Sequence, residues 1–186
     1  MLNREKAKTL TIFVLLAFLI AIYLPMRPQN RHQSPSVSAN IYILKESTSG
    51  TDVLYVGNTI TDIGERMLRN LIGFANQTQY TCKEISLGNA TVVQTLTKLT
   101  TEATNLGFDR HTGTVITWIN SGDYAFNVTY KFTATGNIAI NAAGLHWNAT
   151  DNTDNNMFAA ASLGGTQAFQ NGWNCTAIWS ITINAN

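Results

Sequence analysis

Asp109 and His111 stand two positions apart beside Thr112 and Thr114, so a carboxylate, an imidazole and hydroxyls meet within six residues. Those are the parts of a nucleophilic triad, but a triad is made by geometry and not by adjacency in the chain. No GxSxG, HExxH or glycine-rich phosphate loop accompanies them. The other histidines, His32 in a proline-rich stretch and His146 ahead of a loop, also lack a motif that supplies a nucleophile. Chance juxtaposition is the better reading, and the sequence implies no catalytic residue and no cofactor. The run from Asp151 to Asn156, Asp-Asn-Thr-Asp-Asn-Asn, is rich in oxygen donors, which makes Asp151 and Asp154 calcium candidates. It departs from the EF-hand order, with Thr153 at the second ligand position and no central glycine, and a plain Asx-rich turn is the better reading.

Two cysteines, Cys82 and Cys175, occur without a CxxC or a Cys/His zinc spacing. If the domain is exported, one disulfide between them is the natural expectation, contributing about 4–5 kcal/mol in the loop-entropy model. Two buried thiols are the alternative. Parity places Cys175 inward on a terminal strand, whereas Cys82 shares a face with Tyr80 and Glu84 and would need a bulge to point inward. Asn-X-Ser/Thr sequons begin at Asn76, Asn89, Asn127, Asn148 and Asn174, a number close to chance for so Asn- and Thr-rich a chain. Glycosylation at these sites is compatible with export without demonstrating it. Trp118, Trp147, Trp173 and Trp179 would form a sugar-stacking platform if exposed together, but tryptophans in a small β domain belong mostly to the core.

The elements that must position these groups begin with an apolar run, Leu10 to Leu24, preceded by Arg4, Lys6 and Lys8 and followed by Pro25 and Pro28. Its 15 residues fall between a signal-peptide core and a spanning helix of about 20 residues. Three readings follow: a retained anchor, a signal peptide cut near Val37-Ser38-Ala39, or a pilin-like segment processed at Lys6-Ala7. Each exports what comes after, and the basic amino-terminal flank stays on the cytoplasmic side. Residues 25–39 hold all three prolines and read as a linker, leaving residues 40–186 as one extracellular domain. Beyond residue 40 there are seven basic residues against ten acidic ones, so the basic stripe that nucleic-acid binding requires is missing.

Within the domain, Val37 to Leu44 alternates as a strand that would pair in its own sheet or with a neighbour's edge, and Val53 to Val56 returns as a second. Thr59 to Ile72 predicts an amphipathic helix, opened by a Thr59/Asp62 capping pattern and closed by Gly73. The period then becomes two, with strands expected over Tyr80–Leu87, Thr114–Ile119, Tyr124–Ala134, Asn137–Asn141, Met157–Leu163 and Trp173–Ile183. In the strand from Tyr124, Asn127 is expected to face outward. The fold class is mainly β, an antiparallel β-sandwich with one amphipathic helix, preceded by the hydrophobic segment.

The runs VGNTITDIGERMLRNLIGF, ISLGNAT, LTTEATNLGFDR, YKFTATGNIAINAAGLHW, NMFAAASLGG and AIWSITI, in that order, resemble a compact β-sandwich domain of phage and prophage tail and appendage proteins, over about residues 56–183. The resemblance implies a structural module and no catalyst. With the apolar run it gives the expected function: a non-catalytic extracellular structural protein, anchored through residues 10–24 or secreted. Its expected partners are identical subunits, assembled into a surface filament or appendage by strand donation from residues 37–44. The alternative is a spike-like attachment protein of a virus or phage-related particle that binds a host-surface or glycan ligand; a hydrolytic or sugar-modifying enzyme is the third reading.

Overall fold

The computed structural model describes residues 36–73, 81–120, 123–149 and 156–184. The Leu10–Leu24 run, His32, Asn76 and the calcium candidates Asp151 and Asp154 lie outside them, and no described helix is long and apolar enough to cross a membrane. The described residues are mainly β, with two antiparallel sheets and a single short helix. In chain order the elements are β1 (Ser36–Ser47), β2 (Gly50–Gly57), β3 (Thr59–Ile60), α1 (Asp62–Gly73), β4 (Glu84–Asn89), β5 (Thr101–Glu102) and β6 (His111–Thr112). There follow β7 (Thr114–Asn120), β8 (Asp123–Thr133), β9 (Ile138–His146), β10 (Met157–Phe169) and β11 (Asn174–Asn184). One sheet runs β2-β1-β11-β8-β7, and the other runs β3-β10-β9-β4-β5 with β6 also on β4.

Strands that keep one face wet are the ones whose alternation is plain. In β11, Cys175, Ala177, Trp179 and Ile181 are buried while the residues between them are half-exposed. In β8, Val128 and Phe132 point the same way, and β1 adds Ala39, Ile41 and Ile43. These side chains meet Ile85, Leu87, Leu145, Phe158 and Phe169 of the second sheet in one hydrophobic cluster. Each buried aliphatic or aromatic side chain there contributes about 1.5–3 kcal/mol of transfer free energy.

The second sheet is buried on both faces in its centre. Consecutive residues Met157–Ala161 of β10 and Glu84–Gly88 of β4 are all buried, because a smaller cluster of Leu99, Ala142, Met157 and Ala160 is capped by Ala90, Val92 and Leu96. Alternation vanishes where both faces are covered. For that reason β9 runs to His146 where periodicity suggested Asn141, while β10 runs on to Phe169 because, past a register shift between Ser162 and Gln167, its largely exposed second half pairs again with the start of β9. Gly164 and Gly165 lie in that shift with φ of 69° and 142°, backbone that favours glycine.

The helix begins later than its apolar spacing suggests. Thr59 and Ile60 pair with Ala160 and Ala159 as β3, so the expected Thr59/Asp62 cap is replaced by Thr61. The Thr61 hydroxyl accepts from the Gly64 amide at 3.1 Å and donates to the Met157 carbonyl at 2.5 Å. Its carbonyl takes the first helical bond from the Glu65 amide. One threonine thus caps the helix and ties it to β10. Gly64 makes the approach feasible, since a Cβ there would lie 2.1 Å from the Phe158 carbonyl oxygen.

Ordinary helix propensity says that Gly64→Ala should stabilise by about 1 kcal/mol. The contact with β10 reverses the sign: urea unfolding should show a loss of about 1–3 kcal/mol from overpacking. A rise in the unfolding midpoint would contradict this packing.

Candidate functional site

The chemistry-bearing side chains gather in the second sheet. Ser86 comes from the middle of β4 and His146 from the end of β9 beside it, with Ser86 opposite Gly144 in the register. Asn156 stands immediately before β10, Glu102 lies on β5, and Arg110 immediately precedes β6. Side-chain space for the first two comes from Gly144, where a Cβ would stand 2.6 Å from His146 Nε2 and 2.7 Å from Ser86 Oγ.

The hydrogen-bond partners fix which nitrogen of the neutral His146 ring carries the proton. Asn156 Oδ1 can only accept, so His146 Nδ1 carries the proton in their 2.7 Å bond. His146 Nε2 is then an acceptor, and Ser86 Oγ donates to it at 2.7 Å. Serine hydroxyl, imidazole and an orienting carbonyl stand in the order of a serine-nucleophile triad. Behind them Arg110 grips Glu102 with both arms, Nε to Oε1 at 2.7 Å and Nη2 to Oε2 at 2.6 Å. Its Nη1 donates to the Asn148 carbonyl at 2.8 Å and to Asn156 Oδ1 at 3.3 Å. Nearby, the Thr112 hydroxyl donates to Glu84 Oε2 at 2.8 Å.

This constellation is closed to solvent. Ser86 and His146 are 0% exposed, Asn156 3%, Glu102 5% and Arg110 6%. Ser86 Oγ is shielded within the sheet, and the arrangement ties five segments of the chain together. Burial, reinforced by repulsion from the Arg110 guanidinium, pushes the His146 pKa down to about 3, with the Asn156 bond opposing it. The ring is neutral at neutral pH.

The residues singled out by sequence fall elsewhere. Asp109 and His111 do meet, at 3.3 Å, but the pair lies at the surface with His111 stacked on Tyr130 at 4.4 Å between centroids. The adjacent Thr112 hydroxyl is committed to Glu84, so no triad forms there. Trp179 is wholly buried, Trp147 and Trp173 are half-buried against the core, and these three make no stacking platform. Lys45 lies over the Trp173 ring at 5.1 Å. No group of three metal-ligating side chains occurs among the described residues.

The expected disulfide is absent: Cys82 and Cys175 are both free thiols, and both are buried. Cys82 lines a cleft with Ile181 and Ile183 at the far end of β11, and its thiol donates to Met67 Sδ at 3.6 Å. Six residues of strand at about 3.3 Å each separate Ile181 from Cys175, far beyond the roughly 7 Å Cα limit for a bridge. Of the described sequon asparagines, Asn148 is exposed. Asn89 donates to the Ala139 carbonyl and Asn174 to Glu46 Oε2. Asn127, expected to face outward, is half-buried, with its Oδ1 shielded and unpartnered.

Sequence reasoning missed Ser86, Glu102, Arg110 and Asn156 because they come from four separate segments. A faint signal was present, in the polar Ser86 and His146 interrupting the apolar runs EISLG and AAGLHW. No family model, curated protein or solved structure matches this chain.

The depressed His146 pKa sets a pH dependence. As pH falls through about 6.5 the unfolded chain takes up a proton that the native state refuses until about pH 3, so stability drops across that window. Between pH 6.5 and 5 the wild-type protein should lose about 2 kcal/mol more than His146→Gln, measured by urea unfolding. Parallel pH profiles for the two proteins would refute a buried neutral His146.

Proposed function

We propose that this chain is a non-catalytic structural protein: a β-sandwich carried outside the cell, tethered or secreted, and assembled through neighbouring copies into a surface filament or appendage. The observation that carries the reading is the sealed network, in which the one nucleophile-base-orienter geometry among the described residues lies at 0–3% exposure. Groups that an enzyme would present to substrate here join strands and loops. The apolar Leu10–Leu24 segment supports export, and the residue pattern resembling phage tail and appendage domains supports a structural role.

Strand donation takes a particular form under this reading. Val37 to Leu44 lies in β1, which is bonded to β11 on one side and β2 on the other. A donated segment would have to be exchanged between copies and replaced by its equivalent, as in a domain swap.

Negative-stain microscopy of native material should show ordered multi-copy assemblies, and a Ser86→Ala protein should form them equally well. Dispersed single copies with a hydrolytic turnover that Ser86→Ala abolishes would reverse the assignment.

A further inference from the structure

Sheet edges present unpaired amide and carbonyl groups, and proteins that stay solitary blunt them with charge, proline, shortness or a turn out of the sheet. Among the described residues, three of the four edges are treated in that way. β3, β5 and β6 have two residues each, and the length of β10 that β3 leaves uncovered is broken by the register shift at Gly164 and Gly165. β2 carries Asp52 and passes through Gly57 and Asn58 into β3, which pairs with β10 in the other sheet. The remaining edge is β7, seven residues reading Thr-Val-Ile-Thr-Trp-Ile-Asn. It holds no charge, proline or glycine, and among the described residues it pairs with β8 alone.

Both sides of this strand are unfinished. Ile116 is 59% exposed on the outer face of the sheet. On the inner side, Val115 and Thr117 line an apolar cleft of about 320 Å³, together with Phe126, Ile181 and Ile183. A strand laid along β7 would complete its ladder and send alternate side chains over that cleft.

We propose that the occupant is β7 of a second copy of this chain, related by a two-fold axis normal to the sheet. The inference rests on the reading of the protein as self-assembling. A two-fold sets identical edge strands antiparallel, the more stable ladder, and joins two five-stranded sheets into one of ten strands. An uncharged strand meets its own copy without like-charge repulsion, and the two apolar clefts come together on the same side of the new sheet. Stacking β7 on a neighbour's β2 is disfavoured. An odd number of antiparallel strands makes the two edges run the same way, so simple stacking gives a parallel pair, and it brings Asp52 into the seam.

The test uses the full chain in detergent, with mass from light scattering corrected for bound detergent. Wild type should reach at least twice the 20.4 kDa chain mass. Ile116→Lys and Ile116→Glu, each placing like charges across the axis, should raise the dimer Kd by about 100-fold, and a 1:1 mixture of the two should restore dimer. Tyr55→Lys on β2 should leave the mass unchanged. Thermal melts matching wild type in both Ile116 variants separate interface loss from misfolding, as the exposed position leads one to expect. Undiminished assembly of both Ile116 variants, failure of the mixture to recover dimer, or dissociation by Tyr55→Lys overturns the β7 interface and leaves self-assembly standing. A wild type that is monomeric at every concentration overturns both.

Discussion

A guanidinium withdrawn from water must find an acceptor for its charge and for its donors, and Arg110 is the residue on which this requirement falls. Its answer defines the shape of one side of the protein. Glu102 takes two donors, and the Asn148 carbonyl and Asn156 Oδ1 share a third nitrogen. The stretch between β4 and β7 and the turn after β9 are thereby held against the sheet by one charge. Asn156 passes the constraint on, because the oxygen that receives Arg110 also orients His146, which receives Ser86. Removing any acceptor would leave a buried charge or polar group uncompensated, at a cost of about 3–5 kcal/mol for the ion pair.

That polar network is embedded in a sheet made thin on purpose. Ala142, Ala143 and Gly144 in β9 and Ala159, Ala160 and Ala161 in β10 leave little side-chain volume on either face. Covering segments can therefore lie close to the backbone: α1 approaches Phe158 through Gly64, and the Leu96–Leu99 turn packs on Ala142 and Ala160. Large buried side chains come from both sheets: Trp179, Phe132, Ile41 and Ile43 from the five-stranded one, and Ile85, Leu87, Leu145 and Phe169 from the other. Together these side chains fill the space between the sheets in one close-packed cluster.

The contrast between the two sheets decides what the sequence makes legible. β1, β8 and β11 each keep a wet face, and their period-two pattern locates them to within about a residue at most ends. β4, β9 and β10 are covered on both sides, so their apolar runs carry no parity, and their limits emerge only from pairing. The start of α1 is hidden for a related reason: the apolar spacing of Ile60, Ile63 and Met67 fits a helix, but the β10 edge captures the first of these residues and Thr61 caps what remains. The sealed network was least legible, since Ser86, Glu102, Arg110, His146 and Asn156 are brought together by long-range pairing. The Asp109/His111 proximity was visible in the chain, yet it leads to a surface pair.

The two thiols carry a consequence for where such a domain can live. Burial raises both the Cys82 and Cys175 pKa to about 12, so the reactive thiolate is a fraction on the order of 10⁻⁵ at neutral pH. They sit at opposite ends of β11 and behave as small hydrophobic side chains. The fold therefore draws no stability from oxidation and loses none to reductants. Its integrity is indifferent to redox potential, and the same core packs alike under reducing and oxidising conditions.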